Sequence, residues 1–316
     1  MRLDFLKDKK VLVTGGNGFI GRNFVDALVK GGIRPRITVH NTPPFSSDVA
    51  EVIYANLTNA ADCAKACHGV DFIIHAAGGV ANAGSIRSNL IGTMVDNLVI
   101  TTRLLEAASN SCKRMLIFSS GTTAYPSYTY PVKEEDMWTG SPDPVYFGYG
   151  WMRRYFELFG EYVSNASALD VVICRPTAPY GRYDKSNHVI PSLMRRALSG
   201  EKPFVIWGTG EEQRDFLHAS DLVHGCLLLL EKGKAADPVN IGYGSAVTVK
   251  DVAKIIMKAV GRSEDDIVFD SSKPTTIPVR AVDCSKAKRL LDFSPELSLE
   301  AGIYDTVEWF KNNTRV

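Results

Sequence analysis

No stretch of these 316 residues stays apolar for long enough to cross a bilayer. The longest purely apolar run lies near Cys226 to Leu230, far short of a membrane-spanning helix. An excess of charge of one sign is lacking too. The 36 lysines and arginines stand against 35 acidic residues, and a net charge of +1 gives no global reason to expect nucleic acid or an anionic membrane as partner. The opening MRLDFLKDKK lacks the apolar core of a secretory signal, so a cytoplasmic protein is expected. Cysteine clustering is missing as well: Cys63, Cys67, Cys112, Cys174, Cys226 and Cys284 are scattered along the chain, which excludes a small disulfide framework and implies reduced thiols. The sharpest cluster, CAKACH with Cys63, Cys67 and His68, has no second pair at ligand spacing. Small buried cysteines on an alanine-rich helix account for it better than zinc, and no metal is expected. The sequence also has no internal repeat, low-complexity tract or obvious linker, so any second lobe is woven into the first.

What is present is the alternation of a parallel sheet covered by helices. KKVLVTGG, PRITVHN, VDFIIHAAG, RMLIFSS and LDVVICRP read as strands, and GFIGRNFVDALVKGG and NLVITTRLLEAASNS as helices. The strands are nearly all apolar, as strands covered on both faces must be. After about Tyr180 the alternation weakens, and YGRYDKSNHVIP and DSSKPTTIPVRAVD read as long loops of the kind that carry substrate sites.

TGGNGFIG sets Gly15, Gly18 and Gly21 between a strand and a helix, where glycines permit a tight turn and close approach of a pyrophosphate to the helix N-terminus. In that strand-turn-helix context the pattern points to a dinucleotide. The end of the second strand carries His40, Asn41 and Thr42 with no carboxylate to bond a ribose hydroxyl or repel a 2′-phosphate, and Arg36 and Arg22 are candidates to meet one, so the cofactor is NADP or NAD with NADP expected first.

TGGNGFIG, DFIIHAAG, FSS and Tyr149 resemble the extended short-chain dehydrogenase/reductase (NAD-dependent epimerase/dehydratase) superfamily. RPTAPYGRYDKSNHVIPSLMRRA, VIWGTGEEQRDFLHASDL, NIGYGSAVTVKDVAKIIMKAVG, VFDSSKP and LSLEAGIYDTVEWF resemble its GDP-fucose synthase-like nucleotide-sugar epimerase/reductases. The resemblance implies a Rossmann-type doubly wound parallel α/β sheet with a smaller interleaved C-terminal lobe. It implies a dinucleotide-binding domain over residues 1–178, with 218–246 returning to it, and a substrate lobe over 179–217 and 247–316. It implies cofactor contacts from Gly15, Asn17, Gly18, Phe19, Ile20, Gly21, His40, Asn41, Asn56, Leu57, Ala76, Ala77, Gly78 and Arg153. A nucleotide-sugar substrate and a homodimer are implied too.

The catalytic set is altered. Tyr149 matches the family's catalytic tyrosine, but Arg153 stands where its lysine belongs and Gly121 where its catalytic serine or threonine belongs. Thr123 replaces the cysteine that moves protons in epimerisation, His188 keeps the place of that cysteine's histidine partner, and Ala178 replaces an asparagine. Arg153 supplies permanent charge and several donors to the tyrosine hydroxyl, although its planar fork differs from an ammonium. Ser120, Thr122 and Thr123 are candidates for the hydroxyl lost at Gly121. For a substrate diphosphate the family positions are Arg196 or its neighbour Arg195, Arg214 and Arg280, with Asn187, His188 and Trp207 as further substrate candidates. A 4,6-dehydratase is disfavoured, because SSGTTAY lacks the Thr-Asp-Glu set. The expected activity is reduction or epimerisation of a 4-keto sugar nucleotide; the alternative is a relative that binds the nucleotide and sugar without redox turnover. YPSYTYP reads as a loop above the cofactor rather than as a nucleic-acid surface, since no basic residues interleave its aromatics.

Overall fold

The computed structural model describes residues 3–45, 48–79, 91–126, 130–273 and 277–313. Part of the YPSYTYP loop, 127–129, lies outside the described residues. In chain order the elements are β1 (Val11–Thr14), α1 (Phe19–Lys30), β2 (Arg36–Val39), β3 (Glu51–Tyr54), α2 (Ala60–Cys67), β4 (Phe72–His75), α3 (Ile91–Ser109), β5 (Arg114–Phe118), α4 (Phe147–Ala166), β6 (Asp170–Pro176) and β7 (Ala178–Tyr180). They continue with α5 (Val189–Leu198), β8 (Phe204–Trp207), β9 (Gln213–Arg214), β10 (Phe216–His218), α6 (Ala219–Lys232), β11 (Val239–Ile241), β12 (Val247–Thr248), α7 (Val249–Val260), β13 (Ile267–Asp270), β14 (Val279–Arg280), α8 (Ser285–Leu291) and α9 (Leu299–Asn313).

Seven parallel strands form the main sheet in the order β11-β6-β5-β4-β1-β2-β3. The order reverses between β1 and β4, and the crevice beyond the strand ends at such a switch point is where open α/β sheets bind ligands. The sheet is a Rossmann-type α/β layer, as the strand pattern predicts. Its apolar strands exist because both faces are covered: Val171, Val172, Ile173 and Cys174 of β6 are all buried, and each such side chain contributes roughly 1.5–3 kcal/mol of burial. One face packs Phe24, Val25 and Leu28 of α1 with Leu222, Cys226 and Leu229 of α6. The other packs Cys63 and Cys67 of α2 with Leu104 and Leu105 of α3 and Met152 and Phe156 of α4. The thiols of CAKACH thus serve as small core side chains. A third cluster joins α5, α7 and α9 over β8, with Met194, Ile206, Ile256 and Val307 at its centre.

The strand reading passes over β3. Its burial pattern is exposed, half-buried, buried, exposed, so EVIY on the sheet edge shows neither the apolar run nor a clean alternation that marks a strand. After β10 the chain returns to the main sheet through α6 and β11, which pairs with β6 in the register Val239 to Cys174 and Ile241 to Pro176. No described helix is long and apolar enough to cross a membrane.

One buried polar network ties these parts together. The Arg175 guanidinium donates from Nε and Nη2 to the two carboxylate oxygens of Glu157 on α4, at 2.8 and 2.6 Å. Its Nη1 donates to the Tyr125 hydroxyl and to the Glu134 carbonyl, and Tyr125 donates onward to the Asn240 side chain on β11. Burial works against the charge on Arg175, but Glu157 more than offsets it and the guanidinium stays protonated. Removing one partner strands the other as a buried charge. Glu157→Ala is therefore expected to cost about 3–5 kcal/mol in urea unfolding; a loss below about 1 kcal/mol would mean the pair is not what holds α4 to β6.

Candidate active site

The sequence compresses the glycine-rich turn against β4. Gly15 sits at φ +64°, and a Cβ there would lie 2.8 Å from the Ala77 Cα; one at Gly21 would lie 2.1 Å from the Gly15 carbonyl oxygen. Neither position admits a side chain. The turn stays tight, and Asn17, Gly18, Phe19 and Ile20 open onto a cavity of about 720 Å³. Close backbone approach at the start of a helix is what a dinucleotide pyrophosphate needs, so these residues fit that group.

The same cavity is lined by Ala76, Ala77 and Gly78 after β4, by Ser120 and Thr123 after β5, by Tyr149 and Arg153 on α4, by Asn187 and His188 ahead of α5, and by Arg214 and Arg280. The loop after β4 is pinned. Thr14 Oγ1 accepts from the Ala77 N–H at 3.1 Å and bonds His75 Nδ1 at 2.8 Å, while His75 Nε2 reaches Thr101 Oγ1 at 3.2 Å. Burial, and after it the Arg153 charge, push His75 down to about 4, so it is a neutral positioning imidazole at neutral pH.

Tyr149 and Arg153 lie one helical turn apart and meet. Arg153 Nη2 donates to the Tyr149 hydroxyl oxygen at 2.5 Å, and its Nη1 donates to the Phe118 carbonyl at the end of β5 at 3.0 Å. The tyrosine oxygen therefore accepts from a permanent cation and keeps its own proton for the cavity. The guanidinium also lies over the Tyr149 and Phe156 rings, 4.9 and 5.6 Å from their centroids, which fixes its plane. Beside it, Ser120 Oγ and Thr123 Oγ1 are 2.5 Å apart, and Ser120 Oγ accepts from the Thr123 N–H.

Gly121 has a packing reason. Its N–H donates to the Pro176 carbonyl on β6, and a Cβ there would lie 2.6 Å from that oxygen. The chain at this point presses on the neighbouring strand and leaves no room for a serine.

On the same cavity wall, Arg214 is pushed down to about 10, first by burial and then by the charge of Arg280. Two guanidiniums that repel one another in a poorly solvated cavity make a site for an anion.

Several expected residues lie elsewhere. The Thr122 hydroxyl accepts two N–H groups of Arg280 and is not a cavity wall. Arg196 is occupied by Glu201 and the Val205 carbonyl and stacks on Phe204, also off the cavity. Trp207 is 55% exposed on β8. His40 and Asn41 are exposed, and with Asn56 and Leu57 they lie outside the cavity walls, where Thr42 and Pro43 take the place expected of the strand end. Of the two cations considered there, Arg36 is held by Glu51 and by the Ala66 and His68 carbonyls. Arg195 donates to Ser186 and Asn187, which shapes the loop ahead of α5.

The sequence reading missed Asp184 and Tyr146. Asp184 is a buried cavity wall whose Oδ1 accepts from the Ser186 N–H and whose Oδ2 has no hydrogen-bond partner; burial pushes it up. Its place four residues before His188 in the same loop was the available signal. Tyr146, one turn before Tyr149, takes an N–H from Arg280.

Residues 11–242 match the profile of the NAD dependent epimerase/dehydratase family. The chain belongs to that family. Its relatives include a GDP-L-fucose synthase of Arabidopsis thaliana, 29% identical across 97% of this chain and 94% of that protein. A dTDP-4-dehydro-6-deoxy-D-allose reductase of Streptomyces is 28% identical over the whole of both chains. Among solved structures, the UDP-glucose 4-epimerase of Thermotoga maritima with UDP-glucose superposes with a TM-score of 0.85 at 26% identity, covering 96% of this chain and 99% of that one. This epimerase/dehydratase chain therefore has relatives that reduce or epimerise nucleotide sugars, at an identity too low to carry a substrate across.

Because the constraint on Gly121 is steric, restoring the family's residue is expected to fail. Gly121→Ser should destabilise the fold by about 1–3 kcal/mol without raising turnover. Denaturant titration and initial rates of the variant check this; a gain in rate at unchanged stability contradicts it.

Proposed function

We propose that the chain is an NAD(P)-dependent nucleotide-sugar reductase or epimerase that acts on a 4-keto sugar nucleotide in the cytoplasm. The observation that carries this reading is the Tyr149–Arg153 pair, which shares one cavity with the glycine-rich turn and with Arg214 and Arg280. Arg214 and Arg280 hold the substrate diphosphate, and Asn187 and His188 border the sugar. When bound, the nicotinamide group supplies the hydride, and the strand end without a carboxylate favours NADP. Tyr149 donates its proton to the carbonyl oxygen, and Arg153 stabilises the phenolate left behind. Of the Ser120–Thr123 hydroxyl pair, one donates to the other, which leaves a second proton for the same oxygen and takes over the role Gly121 cannot fill. Without a cysteine at Thr123, fucose-synthase-style double epimerisation is disfavoured.

The competing reading, a nucleotide-sugar-binding relative without turnover, draws on Gly121 and Arg153 standing where the resemblance puts a serine or threonine and a lysine. Absorbance of the reduced nicotinamide with a panel of 4-keto nucleotide sugars separates the two. Tyr149→Phe is expected to lower kcat by roughly 10²–10⁴ with little change in substrate KM. Tight nucleotide-sugar binding with no oxidation of NADPH and no epimer formed would support the binding relative instead.

The partner surface of this reading is a second copy. Phe147, Trp151, Tyr155, Leu158 and Tyr162 of α4 are exposed at the three- and four-residue spacing of a single helix face. Ile91 and Val95 of α3 add to the exposed apolar area, and a four-helix homodimer interface would cover it. Light scattering is expected to report a dimer that Trp151→Glu with Leu158→Glu converts to a monomer; a wild-type monomer rejects the interface.

A further inference from the structure

We infer that Arg22 is a phosphate-holding side chain for the dinucleotide, an inference that rests on reading the cavity as a nicotinamide-cofactor site. Four arginines line that cavity: Arg22, Arg153, Arg214 and Arg280. Three have guanidiniums bonded to protein, Arg153 to Phe118 and Tyr149, Arg214 to the Gln213 and Pro278 carbonyls, and Arg280 to Thr122 and Tyr146. Arg22 is different. Among the described residues no N–H of its guanidinium is hydrogen-bonded to protein, and its buried Nε, like that of Arg153, has no partner.

Rings hold it instead. The Arg22 guanidinium carbon lies 4.6 Å from the Phe45 ring centroid and 5.3 Å from that of Tyr183. Stacking fixes the plane of a guanidinium while leaving the N–H groups on its edge unspent, and those are the groups that bind phosphate.

The aromatic clamp is itself built. The Phe45 N–H donates to Asn17 Oδ1, and Asn17 Nδ2 donates to Thr42 Oγ1 and the Pro43 carbonyl, both at 2.7 Å, so the loop after β2 is fastened to the glycine-rich turn. Tyr183 takes φ +72°, the left-handed region that bulky residues rarely enter. Its hydroxyl donates to Asp26 Oδ2 at 2.8 Å and its ring packs on Trp309 at 5.1 Å. Of the nearby charges, Asp26 accepts from Tyr183 and is attracted to Arg22 without pairing with it, Arg182 pairs with Asp305, and Arg36 is held by Glu51. Among the described residues Lys185, exposed on the loop ahead of α5, also lines the cavity without an ion pair, but Arg22 is the one held between rings, on the helix that follows the turn that approaches a pyrophosphate and against Phe45 of the loop after β2.

The test measures binding of ADP-ribose and of 2′-phospho-ADP-ribose by calorimetry at two salt concentrations. Wild type is compared with Arg22→Met, which keeps apolar bulk between the rings, and with Arg22→Lys, which keeps the charge without the fork. A loss of about tenfold or more on both ligands with Arg22→Met, a flatter salt dependence and partial recovery in Arg22→Lys supports a pyrophosphate contact. The same loss confined to the 2′-phosphorylated ligand supports a 2′-phosphate contact and NADP preference. Unchanged affinity for both overturns the inference and leaves the dinucleotide site standing. Failure of the wild-type protein to bind either ligand overturns both.

Discussion

The bidentate pair between Arg175 on β6 and Glu157 on α4 is the interaction on which the rest of the molecule depends. It holds the helix that carries Tyr149 and Arg153 against the strand whose backbone meets the Gly121 segment. Through Tyr125 and Asn240 it also reaches the strand that brings the chain back to the sheet. A charge pair this deep is costly to desolvate, and an apolar pair of similar volume would often be no less stable. Its use here is positional, because an arginine fork meeting a carboxylate edge on, with two further acceptors, sets four chain segments in one register.

Within that frame the residues that depart from the family pattern become intelligible. Arg153 spends one N–H on the Phe118 carbonyl and another on the Tyr149 hydroxyl, so its length and fixed fork are taken up by the end of β5. Gly121 is what a backbone pressed onto the Pro176 carbonyl requires. Side-chain hydroxyls still line the same cavity as the tyrosine, from Ser120 one residue before Gly121 and Thr123 two residues after it. On this account the site has been rearranged rather than emptied.

Much of this was legible in the sequence because the strong signals are local. Five strands read from apolar runs bounded by turn residues, and the glycine turn from its place between a strand and a helix. β3 was not legible, since an edge strand with one buried residue carries no period. The gathering of the Tyr149–Arg153 pair with His188, Arg214 and Arg280 came from the resemblance. What failed were side chains whose partner is chosen in three dimensions: Thr122 meets Arg280 across 158 positions, and no pattern around Thr122 announces it. Arg196 could have been read better, for Glu201 lies just past the end of its own helix. Arg22 was named for its charge, but only the rings of Phe45 and Tyr183 show that its donors are unspent.

The central claim is that hydride passes between a nicotinamide and the C4 carbon of a nucleotide-linked sugar beside Tyr149. The most direct measurement supplies NADPH deuterated at the nicotinamide C4, each face in turn, with 4-keto nucleotide sugars, and follows the label by NMR and mass spectrometry. The account predicts deuterium at the sugar C4 from one face of the cofactor, and its loss in Tyr149→Phe. Bound cofactor and bound sugar with no label transferred from either face would contradict it.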